Sequence, residues 1–217
     1  MQFHDRTDAG QQLARLLASY AGRTDLVVIA LPRGGVPVAC EVAKSLHAPL
    51  DIMVVRKLGV PGHEELALGA IAPNGALVVN PEVMARLRDP EEALQEAIRR
   101  ESTELQRREL EYRSARPRVT LRGKTVIVVD DGLATGATMH AAVQALEHEA
   151  VGGCIVAVPV AGPEARRTFA EQGVEVISVL EPEEFRSVGE HYEDFSQTTD
   201  QEVRQGLHDA NNPISAP

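Results

Sequence analysis

The chain has 217 residues, of which 43% are hydrophobic, only 3% are aromatic and none is tryptophan. This length predicts one domain with a sizeable core. The formal net charge of -10 and the scarcity of aromatic stacking surfaces argue against nucleic acid as a partner. Because no apolar run approaches the ~20 residues that span a bilayer, and the first residues lack the apolar core of a signal peptide, we expect no membrane partner and a cytoplasmic location.

The first elements predict a helix, a strand and a second helix, separated by a glycine loop. Asp8 is placed to cap a helix at the N-terminus, residues 26–31 form an apolar strand run, and residues 36–46 have helical periodicity. The loop between strand and helix reads Pro32, Arg33, Gly34 and Gly35. Its glycines allow the backbone to approach a ligand closely, and the Arg33 fork suits pyrophosphate oxygens. The alternative is an ordinary strand–helix turn with a surface arginine.

The next part of the chain predicts a strand, a long connection and a hairpin. Residues 50–55 form a second strand run, and residues 56–68 are rich in Gly, Pro and Glu without clear periodicity. A connection of roughly 12 residues is at the length where loops are usually functional lids or disordered segments. Residues 69–72 and 76–80 predict a hairpin, because the segment between them, 73–75, has turn composition.

Residues 89–116 predict a long helix that opens with Pro90 and is saturated with Glu and Arg. Its apolar stripe is narrow. A solvated surface helix is the favoured interpretation. The alternative is an arm that packs on one neighbour, such as the second subunit of a homodimer.

The most informative run of the chain is 125–138. Residues 125–129, of which 126–129 are apolar, form a buried strand that delivers Asp130 and Asp131 to its carboxyl end, and a small-residue loop then leads into a helix. Such a loop points backbone N–H groups at an anion, which the helix dipole also favours. The two acids suit a sugar diol or a hydrated Mg²⁺ beside it. Together these features predict a site for ribose 5-phosphate; the alternative is a strand–turn–helix with a solvated acidic pair.

Two further strand runs, 154–160 and 175–180, are separated by a helical stretch. Strands that alternate with helices predict an α/β fold with a Rossmann-like, twisted, mainly parallel sheet covered by helices on both faces. Ligands bind beyond the carboxyl ends of the strands in such sheets. We therefore expect the Arg33 loop, the segment after residue 55 and the 130–138 loop to converge.

The run 125–138 resembles the phosphoribosyl-pyrophosphate (PRPP) signature of type I phosphoribosyltransferases, and the sequence of its loop is closest to that of adenine phosphoribosyltransferase. The segment 54–69 is similar to the mobile catalytic loop of that enzyme, with Val60 in place of a second loop lysine. The resemblance implies a pyrophosphate loop at Arg33, often with a non-proline cis peptide. It implies catalytic roles for Arg33, Lys57, Asp130 and Asp131, with Mg²⁺ as cofactor at the two aspartates. The PRPP-binding residues that it implies are Gly34, Gly35, Arg56, Ala134, Thr135, Gly136, Ala137 and Thr138.

A weaker resemblance lies near the C-terminus. Residues 184–195 are similar to the hood segment of hypoxanthine-guanine phosphoribosyltransferases, which implies that Phe185 stacks on a base and that Val188 reads its edge. The alternative for Phe185 is a core side chain that plugs the end of the sheet. Ala134 stands where the purine enzymes carry a loop aspartate, which counts against hypoxanthine or guanine as the substrate.

The resemblance covers nearly the whole chain and implies a phosphoribosyltransferase domain at 1–205, with a helical insertion at 89–116, a hood-like segment at 181–200 and a flexible tail at 206–217. The implied reaction is Mg²⁺-dependent transfer of ribose 5-phosphate from PRPP to a nitrogen nucleophile such as a nucleobase, with release of pyrophosphate. A non-catalytic PRPP- or nucleotide-sensing module and a nucleotide hydrolase or phosphorylase remain as alternatives. A dinucleotide-binding oxidoreductase is weaker, because no Gly-x-Gly-x-x-Gly follows the first strand.

Overall fold

The structure is a computed structural model that describes residues 2–113 and 117–211. Its strands are β1 (Leu26–Ala30), β2 (Leu50–Ile52), β3 (Arg56–Val60), β4 (His63–Ile71), β5 (Leu77–Val79), β6 (Thr125–Val129), β7 (Gly153–Val160) and β8 (Glu175–Leu180). Its α-helices are α1 (Arg6–Leu16), α2 (Gly35–Leu46), α3 (Pro81–Met84), α4 (Pro90–Arg113), α5 (Ala137–His148), α6 (Pro163–Glu171) and α7 (Asp200–Asn211). None of the helices in this part of the chain combines the length and apolar character that a bilayer crossing requires.

Five parallel strands form the central sheet in the order β2-β1-β6-β7-β8. Successive residues of β1 face opposite sides, so that Val28 packs with α1 and α2 while Val27 and Ile29 pack with α5 and α6. Every residue of β1 is buried, as a strand covered on both faces requires. The predicted α/β fold with a mainly parallel sheet and helices on both faces is confirmed.

A second, antiparallel sheet has the order β3-β4-β5. The predicted hairpin is confirmed, because Gly69 pairs with Val79 and Ile71 with Leu77. The prediction of an unstructured connection at 56–68 is wrong, since these residues form β3 and most of β4. Sequence periodicity missed this hairpin because register shifts on both sides of Gly59 break the alternation. Gly59 is needed there, because a Cβ at this position would lie 2.4 Å from the Glu64 carbonyl oxygen.

The long helix α4 begins at Pro90 as predicted, and its predicted last residues, 114–116, lie outside the described part of the chain. It packs against β3 and α7 of its own chain and buries Ala97, Leu105 and Tyr112. Its outer face is solvated, with Leu110 at 77% exposure. The helix is therefore a covering layer of this domain, and its pairing with a second subunit stays a prediction.

Two predicted boundaries near the ends of the chain need correction. The N-cap of α1 is Asp5, whose carboxylate accepts a hydrogen bond from the Asp8 backbone N–H at 2.8 Å, so Asp8 lies within the helix. The tail predicted to be flexible from residue 206 is helical as far as residue 211, in α7. Val203 and Leu207, one turn apart, bury that helix in the same core as α2, whereas the Asn, Pro, Ser and Ala content of the tail suggested disorder. Residues 212–217 lie outside the described residues.

Candidate active site

Strand β6 places two carboxylates at the carboxyl end of the central sheet. Residues 126–129 are completely buried, and Asp130 and Asp131 follow directly. The Asp131 backbone N–H donates a hydrogen bond to Asp130 Oδ1 at 2.8 Å. Burial, and next the charge of Asp131, raise the pKa of Asp130 well above its ordinary value, against smaller opposing effects from Arg6 and Lys57. A cationic group or a metal ion bound here would lower that pKa and stabilise the charged form of the pair.

Asp131 forms an ion pair with Arg6, a residue that the sequence did not single out. Arg6 Nε and Nη2 lie 2.9 and 2.8 Å from Asp131 Oδ2, and the two side chains are only 11% and 16% exposed. Burial raises the pKa of Asp131, and the guanidinium of Arg6 partly opposes that rise. No local pattern pairs residues 125 positions apart, so no sequence signal pointed to Arg6.

The glycines of the Arg33 loop lie against the two aspartates, as predicted. A Cβ on Gly34 would lie 1.9 Å from Asp131 Oδ2, and a Cβ on Gly35 would lie 2.9 Å from the Asp130 Cα. Any side chain at these positions would displace an aspartate or the loop. The peptide bond between Pro32 and Arg33 is cis, as the family resemblance implied. The loop at the end of β1 and the acids at the end of β6 therefore form one continuous surface.

The predicted phosphate loop, 134–138, follows the acids and ends in the first turn of α5. Gly136 has a φ of 77°, a left-handed conformation that favours glycine, and it is the N-cap of the helix. Ala134 and Thr135 are exposed, whereas Ala137 and Thr138 are half-buried. The first backbone N–H groups of a helix have no partner within the helix, so this turn can bind an anion.

The three predicted basic residues are positioned differently. Arg33 Nη1 lies 3.9 Å from Asp200 Oδ1, at the start of α7. Lys57 is exposed on β3 and close enough to Asp130 to lower the pKa of that acid electrostatically. Arg56 is held by Glu101 of α4, at 2.9 Å from Nε and 2.6 Å from Nη2. Of the three, only Lys57 is shown to act electrostatically on the acids.

The hood-like segment also reaches this end of the sheet. A Cβ on Gly162 would lie 3.2 Å from the Phe185 ring, and a Cβ on Gly132 would lie 2.5 Å from a Val188 methyl group. Both side chains pack on the small cluster formed by Phe3, Ala9, Val160 and Tyr192. This packing supports the alternative of a plug at the sheet end, and base contact by Phe185 and Val188 stays a prediction.

The acidic side chains at this site fit Mg²⁺ only if a substrate and water supply further ligands. Within residues 2–113 and 117–211, no group of three or more Asp, Glu, His or Cys side chains could hold a metal ion. Asp130 and Asp131 supply a pair of carboxylates. Mg²⁺ is commonly bound through one or two carboxylates together with substrate phosphates and water. The residues present therefore fit a metal ion that arrives with a phosphorylated substrate.

Comparison with known proteins decides the family. A family model described as the phosphoribosyl transferase domain matches residues 2–192. The chain belongs to the phosphoribosyltransferase family. Curated proteins from two Mycobacterium tuberculosis strains, CDC 1551 and H37Rv, are 46% identical over 201 residues and bear the provisional name phosphoribosyl transferase. These matches cover 93% of this chain but 45% of the relatives, so the chain spans less than half of their length.

Solved structures agree with the fold of this family member. The protein TT1426 from Thermus thermophilus is 42% identical, with a TM-score of 0.81 that covers 95% of this chain and 98% of that one. A protein from Neisseria gonorrhoeae, solved with bound ppGpp, is 17% identical, with a TM-score of 0.52 over 96% of this chain and 97% of that one. The second likeness shows the fold alone.

Proposed function

We propose that this member of the family is a Mg²⁺-dependent phosphoribosyltransferase that transfers ribose 5-phosphate from PRPP to a nitrogen nucleophile and releases pyrophosphate. One observation carries the proposal. The glycines of the Arg33 loop contact Asp130 and Asp131, and the helix-capping loop 134–138 follows directly on the acids. Sites for pyrophosphate, a ribose diol and a 5-phosphate would then lie side by side, in the order in which PRPP carries these groups.

The side chains suit the charges of such a reaction. Loss of pyrophosphate from C1 leaves an oxocarbenium-like ring, as at other glycosyl centres. Asp130 and Asp131 would hold the ribose hydroxyls and stabilise that positive charge, while Arg33 and Lys57 would neutralise the leaving pyrophosphate. Bound Mg²⁺ would supply further charge neutralisation at the phosphate oxygens. Closure of the β3–β4 hairpin over the site would exclude water from the reactive centre.

The acceptor is proposed to be a nucleobase or a similar flat nitrogen compound. Phe185 and Val188 lie beside Gly162 and Gly132, at the edge of the acidic loop, where an acceptor would approach C1. Ala134 supplies no carboxylate for proton exchange with a purine nitrogen. A hypoxanthine- or guanine-type reaction is therefore disfavoured.

A sensing module without turnover is the second candidate. Val60 replaces a second loop lysine, and Arg56 is already engaged by Glu101. Fewer free cations at the pyrophosphate would weaken catalysis more than binding, because the leaving group gains charge in the transition state. The chain spans less than half of the curated relatives' length, so the activity of such a longer protein is a separate proposal.

Pyrophosphate release separates the two candidates. The protein would be incubated with PRPP, Mg²⁺ and one nucleobase at a time, with Lys57→Gln as the test variant and Lys124→Gln as the control. Lys124 donates a hydrogen bond to the Thr24 carbonyl at the opposite end of the sheet, before β6. Turnover predicts acceptor-dependent release that Lys57→Gln reduces and Lys124→Gln does not. PRPP binding without release for any base would favour sensing, and absence of PRPP binding would refute both.

A further inference from the structure

The contact between Arg6 and Asp131 is one-sided. Both donors of Arg6, Nε and Nη2, point at the same carboxylate oxygen, Oδ2. The backbone of Gly34 crowds the same oxygen, since a Cβ there would lie 1.9 Å from Asp131 Oδ2 and 3.2 Å from Arg6 Nε. Among residues 2–113 and 117–211, no other residue forms a hydrogen bond to Asp131 Oδ1. The pair therefore fixes the carboxylate by one oxygen and leaves the other without such a partner.

Arg6 is itself held by the segment that follows the hood. Its Nη1 donates to the Ser196 carbonyl at 2.7 Å, and its guanidinium carbon lies 4.0 Å from the centre of the Phe195 ring. The Tyr192 hydroxyl donates to the backbone carbonyl of Asp131 at 2.6 Å. Residues 192–196 thus bond to both members of the pair. A planar guanidinium with fixed donors can make these contacts simultaneously, whereas a lysine ammonium is a single flexible point charge.

We infer that Arg6 is a positioning residue that orients the Asp131 carboxylate toward a ribose hydroxyl, and that residues 192–196 hold Arg6 in place. This inference rests on the proposed function, because it presumes that a ribose phosphate binds at the acids. Without Arg6 the carboxylate regains rotamer freedom and loses its buried partner. The sugar hydroxyl then loses an oriented acceptor, while the phosphate loop at 134–138 is left intact.

The test compares two equally buried arginine–aspartate pairs. Arg6→Gln removes the ion pair with Asp131 at the site. Arg113→Gln removes the ion pair with Asp51, in which the shortest distance is 2.7 Å and the side chains are 14% and 13% exposed. Affinities for ribose 5-phosphate, 2-deoxyribose 5-phosphate and 3-deoxyribose 5-phosphate would be measured by calorimetry. We expect wild type and Arg113→Gln to prefer the diol over at least one deoxy sugar by about tenfold, the worth of one charge-assisted hydrogen bond. Arg6→Gln should bind all three sugars with nearly equal affinity.

The outcomes separate the inference from the function on which it rests. A uniform loss of affinity for all three sugars in Arg6→Gln, or a full preference for the diol, would show that Arg6 does not orient the acid. If Arg6→Gln does not fold, Arg6→Lys keeps the positive charge beside Asp131 but cannot place two fixed donors on Oδ2. That variant should lose most of the preference, and an undiminished preference would overturn the inference. Equal binding of all three sugars by wild type would instead refute the proposed ribose site itself.

Discussion

Glu101 of helix α4 accepts two hydrogen bonds from Arg56, the first residue of β3, at 2.9 Å from Nε and 2.6 Å from Nη2. The contact joins the helical insertion to the strand that carries Lys57. Tyr112, from the last turn of the same helix, donates a hydrogen bond to Asp200 at 2.5 Å, and Asp200 also faces Arg33. Helix α4 therefore supports both basic segments of the proposed pyrophosphate site.

Glu101→Gln should destabilise the protein by about 1–3 kcal/mol, because it leaves the half-buried Arg56 without a charged partner. Amides of residues 56–60 should also exchange with solvent faster than in wild type. Urea denaturation and hydrogen-exchange mass spectrometry measure the two effects. Glu96→Gln, an exposed position on the same helix, is the control and should change neither. Equal stability of the two variants would mean that α4 does not anchor the hairpin through this pair.

The hairpin of β3 and β4 should protect its strands from proteolysis and expose its turn. Lys57 is paired with Ala70 in the sheet, whereas the exposed Glu64 lies in the bulge between His63 and Ala67, where β4 has no paired residue. A Glu-specific protease should therefore cut after Glu64, and PRPP with Mg²⁺ should slow that cut if the hairpin closes over the site. Cleavage after the exposed Glu183 serves as the internal reference. If ligand leaves the ratio of the two cuts unchanged, the hairpin is not a closing lid.

Asp130→Asn should stabilise the protein without ligand at neutral pH. Burial and the charge of Asp131 raise the pKa of Asp130, so the folded chain holds this proton at a pH at which the unfolded chain has released it. The free energy of unfolding of wild type should accordingly fall as the pH rises from the ordinary pKa of an aspartate through the raised one. The amide removes this loss while still accepting the hydrogen bond from the Asp131 backbone. Melting temperatures across that pH range give the comparison, and a variant less stable than wild type at neutral pH would contradict it.

Saturating PRPP with Mg²⁺ should stabilise the fold by about 2.7 kcal/mol at a hundred times the dissociation constant. The physical reason is that the ligand would bind the converged loops, which exist only in the folded chain. A thermal melt with and without ligand detects the change. Glucose 6-phosphate serves as the unrelated phosphate, and an equal shift with that compound would argue for non-specific anion binding.

Much of the sheet could be predicted from the sequence, because buried parallel strands leave a strong local signal. The predicted runs at 125–129 and 175–180 match β6 and β8. Glycine and aspartate patterns likewise located the loops at the sheet end, since close backbone approach restricts which residues fit. These features depend on neighbours in the chain and are therefore visible in a single sequence.

The missed features depend on distant partners. Arg6 and Asp131 are 125 positions apart in the sequence. Val203 and Leu207 become buried only because α7 packs against α2. The β3–β4 hairpin was hidden because its bulge at Gly59 interrupts the two-residue period. Sequence patterns report local propensity, whereas these contacts are selected by tertiary packing.

The central claim is that Asp130 and Asp131 bind PRPP, and calorimetry of two double variants tests it most directly. Asp130→Asn with Asp131→Asn keeps the shape of both side chains but removes the charges that the ribose ring and Mg²⁺ require. Glu183→Gln with Glu184→Gln, an exposed acidic pair after β8, removes the same charge outside the phosphate loop. The first variant should fold, as judged by circular dichroism, and lose PRPP affinity in the presence of Mg²⁺, while the second binds PRPP as wild type does. Unchanged PRPP affinity in a folded Asp130→Asn, Asp131→Asn protein would contradict the account.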